Sequence, residues 1–298
     1  MEFSPVKDGE NKVVYRGFYE DTEETRELVI PEGYEEIAEN AFRDFEFIRS
    51  VRLPRSLKKI GASAFSGCKN LKRVEFAYGI EEILDEAFSS CPSLTEAIIP
   101  NSCKRIGEGA FEGCASLSRL ILSESLVMIG ASAFAYCFNL TDVTIPDSCV
   151  LVEFSAFSGC FSLEAVKLSD NMGLIDTSTF EGCRSLKTVD MPTKLVKIGE
   201  RAFKGCTSLG SVILPSRCEV IGFDAFAGCS ALRRIAIPRG IRELEELDIF
   251  GGCDSLTEIS YGGDRAGWEY ITRGKALTVE RSDLTHFSPK VIFMDLKL

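Results

Sequence analysis

Residues 71–93 read LKRVEFAYGIEEILDEAFSSCPS, and this 23-residue unit returns along most of the chain. Its phenylalanine at 88 belongs to a series, Phe42, Phe65, Phe88, Phe111, Phe134, Phe157, Phe180, Phe203 and Phe226, spaced 23 apart throughout. A tenth copy, Phe250, arrives one residue late. A period held this strictly means that insertions between units are not tolerated, because each unit is a coil that stacks on the last. Solenoids bury a continuous core only through such stacking.

Four apolar columns run through the stack. Leu71 heads one, and Val74 and Phe76 head two more, spaced two apart so that both side chains leave one face of a short strand. Ile83 belongs to the fourth, after which the Ala-Phe pair is expected to begin a single-turn helical or 3₁₀ segment with the phenylalanine plugging the interior. Gly67, Gly113, Gly159, Gly182, Gly205 and Gly228 follow that plug, where a positive φ is expected. Small hydrogen-bonding residues come next (Asn70, Ser93, Ser116), with side chains expected to satisfy turn amides. Prolines such as Pro54, Pro100 and Pro146 close the strand, where a missing N–H is tolerable. Strands from Leu28–Ile30 to Ile259–Tyr261 amount to eleven rungs, about 50 Å at roughly 4.8 Å per rung. The fold class is an α/β repeat protein, rich in β: a solenoid of 23-residue coils with a parallel sheet on one face.

The organisation is one elongated domain in three parts: an acidic N-terminal cap (1–27), the solenoid (28–263) and a C-terminal cap (264–298). Residues 1–48 carry 14 acidic and 5 basic side chains, net −9, out of −11 for the whole chain. EDTEETRE (20–27) reads as a solubilising cap, the alternative being a docking site for a basic partner. Residues 264–298 break the repeat and hold the only tryptophan, Trp268, which is expected to seal the last coil beside Tyr270 and Ile271. Strand-like TVE and KVIFMDLKL follow it.

The 12 cysteines are not a metal or disulfide framework. Nine sit three residues after the repeat phenylalanine, and Cys103, Cys149 and Cys218 fall in a column otherwise held by residues such as Leu57, Ile80 and Leu126. All are expected in the core, where a free thiol behaves as a small hydrophobe. Stacked Cβ atoms about 4.8 Å apart exceed the ~3.8 Å mean of a disulfide. Free buried thiols fit a reducing compartment, hence the cytoplasm. The N-terminal MEFSPVKDGENK has no apolar core of a signal peptide and no run approaches a membrane span, although the chain could be the mature part of a longer exported protein.

No catalytic, cofactor-binding or metal-binding residue is assigned. The only histidine, His286, lies outside the repeats with no Ser or Cys partner identifiable, there is no CxxC, and no glycine loop ends in Gly-Lys-Ser/Thr. A net charge of −11 and a pI near 4.9 oppose nucleic acid. What remains is display. Outward residues alternate with the buried pair on each strand, giving one column Arg52, Glu75, Ile98, Ile121, Thr144, Lys167 and a neighbour Arg73, Glu96, Arg119, Asp142. Ile98 and Ile121 on adjacent rungs, ringed by Glu96, Arg119, Asp142 and Thr144, form the candidate partner-binding site.

The consensus L-x-x-V-x-L-P-x-x-L-x-x-I-G-x-x-A-F-x-G-C-x-S resembles the BspA-like class of bacterial leucine-rich repeats. LKKIGASAFSGCKNLKRVEF (57–76) and LVKIGERAFKGCTSLGSVIL (195–214) carry the match, and ISYGGDRAGWEYI (259–271) is similar to the tryptophan-bearing end of such proteins. Departures are local: Thr179 and Ile249 stand for Ala, Ser90 and Tyr136 for Gly. The resemblance implies a right-handed leucine-rich-repeat solenoid that binds a macromolecular partner, a protein or a glycan, in some members as a surface adhesin. It carries no catalytic residue across, and it allows a cell-surface or secreted location.

Overall fold

The computed structural model describes residues 6–7, 13–15, 26–244, 249–274, 279–281 and 286–294. Each coil contributes two short parallel strands and one run of turns, and the core fills the space between these three sides. Three-residue strands build the first ladder: Glu27–Val29, Ser50–Arg52 and Arg73–Glu75 are in register 23 residues apart, and the series continues to Glu258–Tyr261. Along it the central residue is buried and its neighbours face out, the burial expected of a sheet with one covered face. The eleven expected rungs are present, and a twelfth is added by Lys290–Phe293, which pairs in parallel with Glu258–Tyr261.

A parallel sheet on one face is only half of the architecture. Two-residue strands, Glu36–Ile37, Lys59–Ile60, Glu82–Ile83 and their successors to Glu243–Leu244, form a second ladder around the corner, with the isoleucine column turned inward. At its N-terminal end Val13–Tyr15 pairs in parallel with Glu36–Ile37, and Val6–Lys7 pairs antiparallel with Val13–Tyr15. Most of the expected acidic cap, including residues 20–25, lies outside the described residues.

The third side carries the phenylalanines. No helix or 3₁₀ segment forms at the Ala-Phe pair, because the backbone amides there divide their bonds alternately. Those of Ser63, Phe65 and Gly67 donate to the carbonyls of Asp85, Ala87 and Ser89 in the next coil, at 2.9, 2.8 and 2.8 Å. Those of Ala64, Ser66 and Cys68 close turns onto Gly61, Ser63 and Phe65, at 3.2, 3.1 and 3.2 Å. A helix would turn every amide inward along its own coil; alternation leaves half of them to tie coil to coil.

This geometry needs left-handed residues on both flanks of the phenylalanine. Gly67 (φ 75°) and its column hold the position two residues after it. The position two residues before it, Asn40, Ser63, Glu86, Ser132, Arg201 and others, is also left-handed, at φ 51–56° for these. Ser90 (φ 56°) and Tyr136 (φ 61°) keep the conformation of the glycines they replace.

The ten repeat phenylalanines are buried and stacked, with ring centroids 5.1–6.0 Å apart and planes within 2–17°. The small polar column works otherwise than expected. Asn70 Nδ2 and Ser93 Oγ donate to the carbonyls of Glu46 and Lys69 in the previous coil, and backbone amides such as that of Ser116 (to Pro92 O, 3.1 Å) find their own carbonyls there. The stack closes on an α-helix, Arg265–Ile271, whose N-cap Asp264 accepts from the Gly267 amide at 2.8 Å. Trp268 and Ile271 are buried and the indole lies 5.3 Å from the Tyr261 ring, so Trp268 covers the last coil, while Tyr270 is exposed.

Truncating one ring in mid-stack removes contacts on two sides. Phe134→Ala is expected to cost about 3–5 kcal/mol and the outward Thr144→Ala nearly nothing, read by denaturant melts. Ser90→Gly is expected to stabilise by about 1 kcal/mol and Gly182→Ala to destabilise by a similar amount, since only the left-handed backbone distinguishes them.

Candidate functional site

The outward columns on the first ladder are where the sequence places them. Ile98 and Ile121 are register partners, each 43% exposed, with Leu120 and Ala97 buried between core and sheet. Glu96 and Arg119 pair on the same two rungs, with Arg119 Nη1 3.3 Å from Glu96 Oε2. Arg73 reaches the same carboxylate at 3.9 Å and also Glu75 at 3.5 Å, and Arg52 meets Glu75 at 3.1 Å. A charge ladder therefore climbs from Arg52 to Arg119 and stops at the isoleucine pair. These groups are well exposed, so the network positions side chains more than it stabilises the fold.

Asp142 and Thr144 are exposed on the following rung, but they open a new stretch of ladder. The strand Asp142–Thr144 pairs onward with Ala165–Lys167, not back with Arg119–Ile121. Asp142 Oδ2 accepts from the Thr141 hydroxyl at 2.9 Å. The six candidate residues thus share one face, four of them locked in register and two flanking. A groove of about 640 Å³ lies further along this side, over Arg52, Glu75, Phe76 and Tyr78. Ile213, 75% exposed, is the barest isoleucine on the same face.

A second surface feature escapes a reading based on strands. On the turn side, Phe138 and Phe161 stack at 4.9 Å, Tyr136 meets Phe138 edge-on at 6.3 Å, and the Arg184 guanidinium lies 4.7 Å from the Phe161 ring. Tyr136, Phe138 and Phe161 are all exposed. The signal for it in the chain was present as Tyr136, a bulky residue at a left-handed turn position that favours glycine.

All twelve cysteines are free and buried. Each of the nine after the phenylalanine turns its thiol to a carbonyl of the preceding coil: Cys68 Sγ donates to Phe42 O at 3.1 Å, Cys160 to Phe134 O at 3.2 Å, Cys253 to Phe226 O at 3.1 Å. Cys103 and Cys149 turn instead to Arg105 O and Leu151 O, two residues on, both at 3.4 Å. The slot therefore asks for a small apolar group that is also a weak donor, which describes a thiol better than Ala or Val. Burial pushes Cys114 and Cys160 up to about 12, and Cys149 and Cys218 to about 11. Cys91, Cys137, Cys183 and Cys206 are raised by the same desolvation. Such thiols are protonated and shielded from reagents. Among the described residues no group of three or more His, Cys, Asp or Glu side chains is placed to hold a metal ion, and no helix is long and apolar enough to cross a membrane.

The model of the BspA type leucine rich repeat region matches residues 12–138 and 127–257, in six copies. No curated protein matches the chain. Among solved structures, the chain is similar to the pneumococcal vaccine antigen PcpA at 22% identity and a TM-score of 0.50, over 95% of this chain and 92% of that one. It is also similar to the T. pallidum leucine rich repeat protein at 27% identity and a TM-score of 0.49, over 70% and 87%. A leucine rich cell surface protein from Faecalibacterium prausnitzii A2-165 gives 24% identity and a TM-score of 0.45, over 92% and 96%.

Thiol burial makes a pH prediction. A folded-state value raised above the unfolded thiol's ~8.5 contributes stability that is complete below that pH and lost as pH rises toward about 11–12. Stability is expected to be flat from pH 7 to 8 and to fall steeply above pH ~9, by up to about 1.4 kcal/mol per unit for each ionising thiol. Chemical denaturation at stepped pH checks the slope, and a thiol reagent should find the cysteines only after denaturant is added.

Proposed function

Because the chain belongs to the BspA-type leucine-rich-repeat family, we propose that it is a non-enzymatic interaction solenoid whose first ladder docks a macromolecular partner, a protein in the first instance. The supporting observation is the in-register pair Ile98 and Ile121, apolar and exposed where the surrounding outward positions are charged. In this reading the two isoleucines supply the desolvated centre and Glu96, Arg119, Asp142 and Thr144 the polar rim that fixes orientation. The first ladder is backed along its length by one continuous buried core, so little ordering cost opposes binding. Residues 264–274, with Trp268 against Tyr261, serve as a cap over the C-terminal end of the core.

The arrangement of the charges also supports an interaction role. Glu96 is held by Arg73 and Arg119, so the rim is pre-arranged before a partner arrives. A partner suited to this face presents an apolar knob beside groups of both signs.

Affinity capture with the purified chain tests the proposal, using bacterial lysate and, separately, host extracellular proteins and glycans. An Ile98→Asp/Ile121→Asp variant with unchanged circular dichroism is expected to lose the prey at least tenfold, as central interface positions do. Capture equal to that of the parent chain would remove the first ladder as the docking face.

A further inference from the structure

The second ladder carries a longer break in its chemistry than the isoleucine pair of the first. Its two outward columns open with charge on four rungs, Glu35 and Glu36, Lys58 and Lys59, Glu81 and Glu82, Lys104 and Arg105. On the next four rungs they hold Val127 and Met128, Val150 and Leu151, Gly173 and Leu174, Val196 and Lys197. Val127, Val150, Leu151 and Val196 are 45%, 54%, 38% and 43% exposed, an apolar stripe on an otherwise charged side. Charge returns with Glu219 and Arg242 on the two rungs after, bridged to each other at 3.4 Å.

The centre of the stripe has a distinct shape. Leu151–Val152 ends one run of the second ladder and Leu174–Ile175 begins another, so ladder pairing stops between these two rungs. Beside the break, Val150 stands out from the surface while Gly173 leaves a notch. A Cβ built on Gly173 would meet nothing nearer than Lys194 O at 3.9 Å.

We propose that this stripe is a homodimer interface, two copies packing face to face about a two-fold axis that lies along the strands and passes between the Val150 and Gly173 rungs. That operation reverses the order of rungs in the partner and pairs each column with itself. Val150 of each copy then enters the Gly173 notch of the other, Leu151 meets Leu174, and Val127 meets Val196. The flanking charges fall into opposition with the right sign: Lys104 faces Glu219 and Glu81 faces Arg242. In the neighbouring column Arg105 faces Val220 and Lys197 faces Met128, so among the described side chains no like charges meet in this register. A two-fold contact must be complementary to itself, and this register is. The alternative axis, along the stack, would set Glu35 against Glu36 and Lys58 against Lys59 and is excluded by charge. The eight rungs that overlap in this register span about 34 Å at roughly 4.8 Å each, a narrow footprint that belongs with weak, reversible interfaces. The first ladder stays free, so this proposal stands or falls apart from the docking face.

Sedimentation of the full chain across roughly 1 to 200 µM, the range in which small interfaces dissociate, tests it. The chain is expected to dimerise reversibly, and Val150→Asp and Gly173→Arg to leave it monomeric with an unchanged melting temperature. Gly173→Arg is the safer variant, since its side chain projects into open space. Lys104→Glu and Glu219→Lys alone are each expected to weaken dimerisation about tenfold, because each sets like charges together twice. Mixed in equal amounts, these two variants restore both pairs and return association to within about threefold of the parent. A parent chain monomeric throughout, a Gly173→Arg variant that still dimerises, or a mixture no tighter than either variant alone would each overturn the proposal.

Discussion

Everything in this molecule depends on the stacking of one coil against the next along the phenylalanine side. There the rings lie in near-parallel contact and alternate backbone amides cross to the neighbouring coil, as those of Phe65 and Phe134 do to Ala87 and Ala156 at 2.8 Å. Both interactions need adjacent coils in the same register. One extra residue in a coil would place an inward side chain outward on every strand it displaced. The single late phenylalanine, Phe250, is accommodated near the C-terminal end, where its ring separation from Phe226 widens to 6.0 Å.

Given that constraint, the remaining positions follow by subtraction. A left-handed residue is required on each side of the ring to turn the chain back toward the first ladder. A carbonyl left facing the interior is met by a thiol, so the cysteines are a packing and hydrogen-bonding device with their ionisation suppressed by burial. At two of the strand-closing slots that lack proline, buried Ser123 and Ser169 stand in, each accepting from the amide two residues on at 3.1 Å. Only positions outside this scheme vary without structural penalty, and they are the outward columns of the two ladders and the turn edge that bears Tyr136, Phe138 and Phe161.

The core was legible in the sequence because its physics is periodic: Phe, Leu, Ile and Cys recur at fixed offsets and all prove buried. The faces of the first ladder were legible for the same reason, and Ile98, Ile121, Glu96 and Arg119 fall together on two paired rungs. Three features were not. The second ladder is only two residues deep, too short for an alternating pattern to show. The left-handed column before the phenylalanine accepts Asn40, Glu86 and Arg201 alike, so no residue type marks it. The aromatic edge joins Phe138 and Phe161 across coils at a position where other copies carry Lys69 or Arg184, and a consensus averages such residues away.

Native-state hydrogen exchange, resolved by residue, bears most directly on the coil-to-coil bonds. The amides of Phe134, Phe157 and Phe180 should exchange together and only through global unfolding, with protection declining toward the two ends of the stack. Rapid exchange of these three amides, at rates like those of the exposed loops, would contradict a fold held together by stacked and cross-bonded phenylalanine turns.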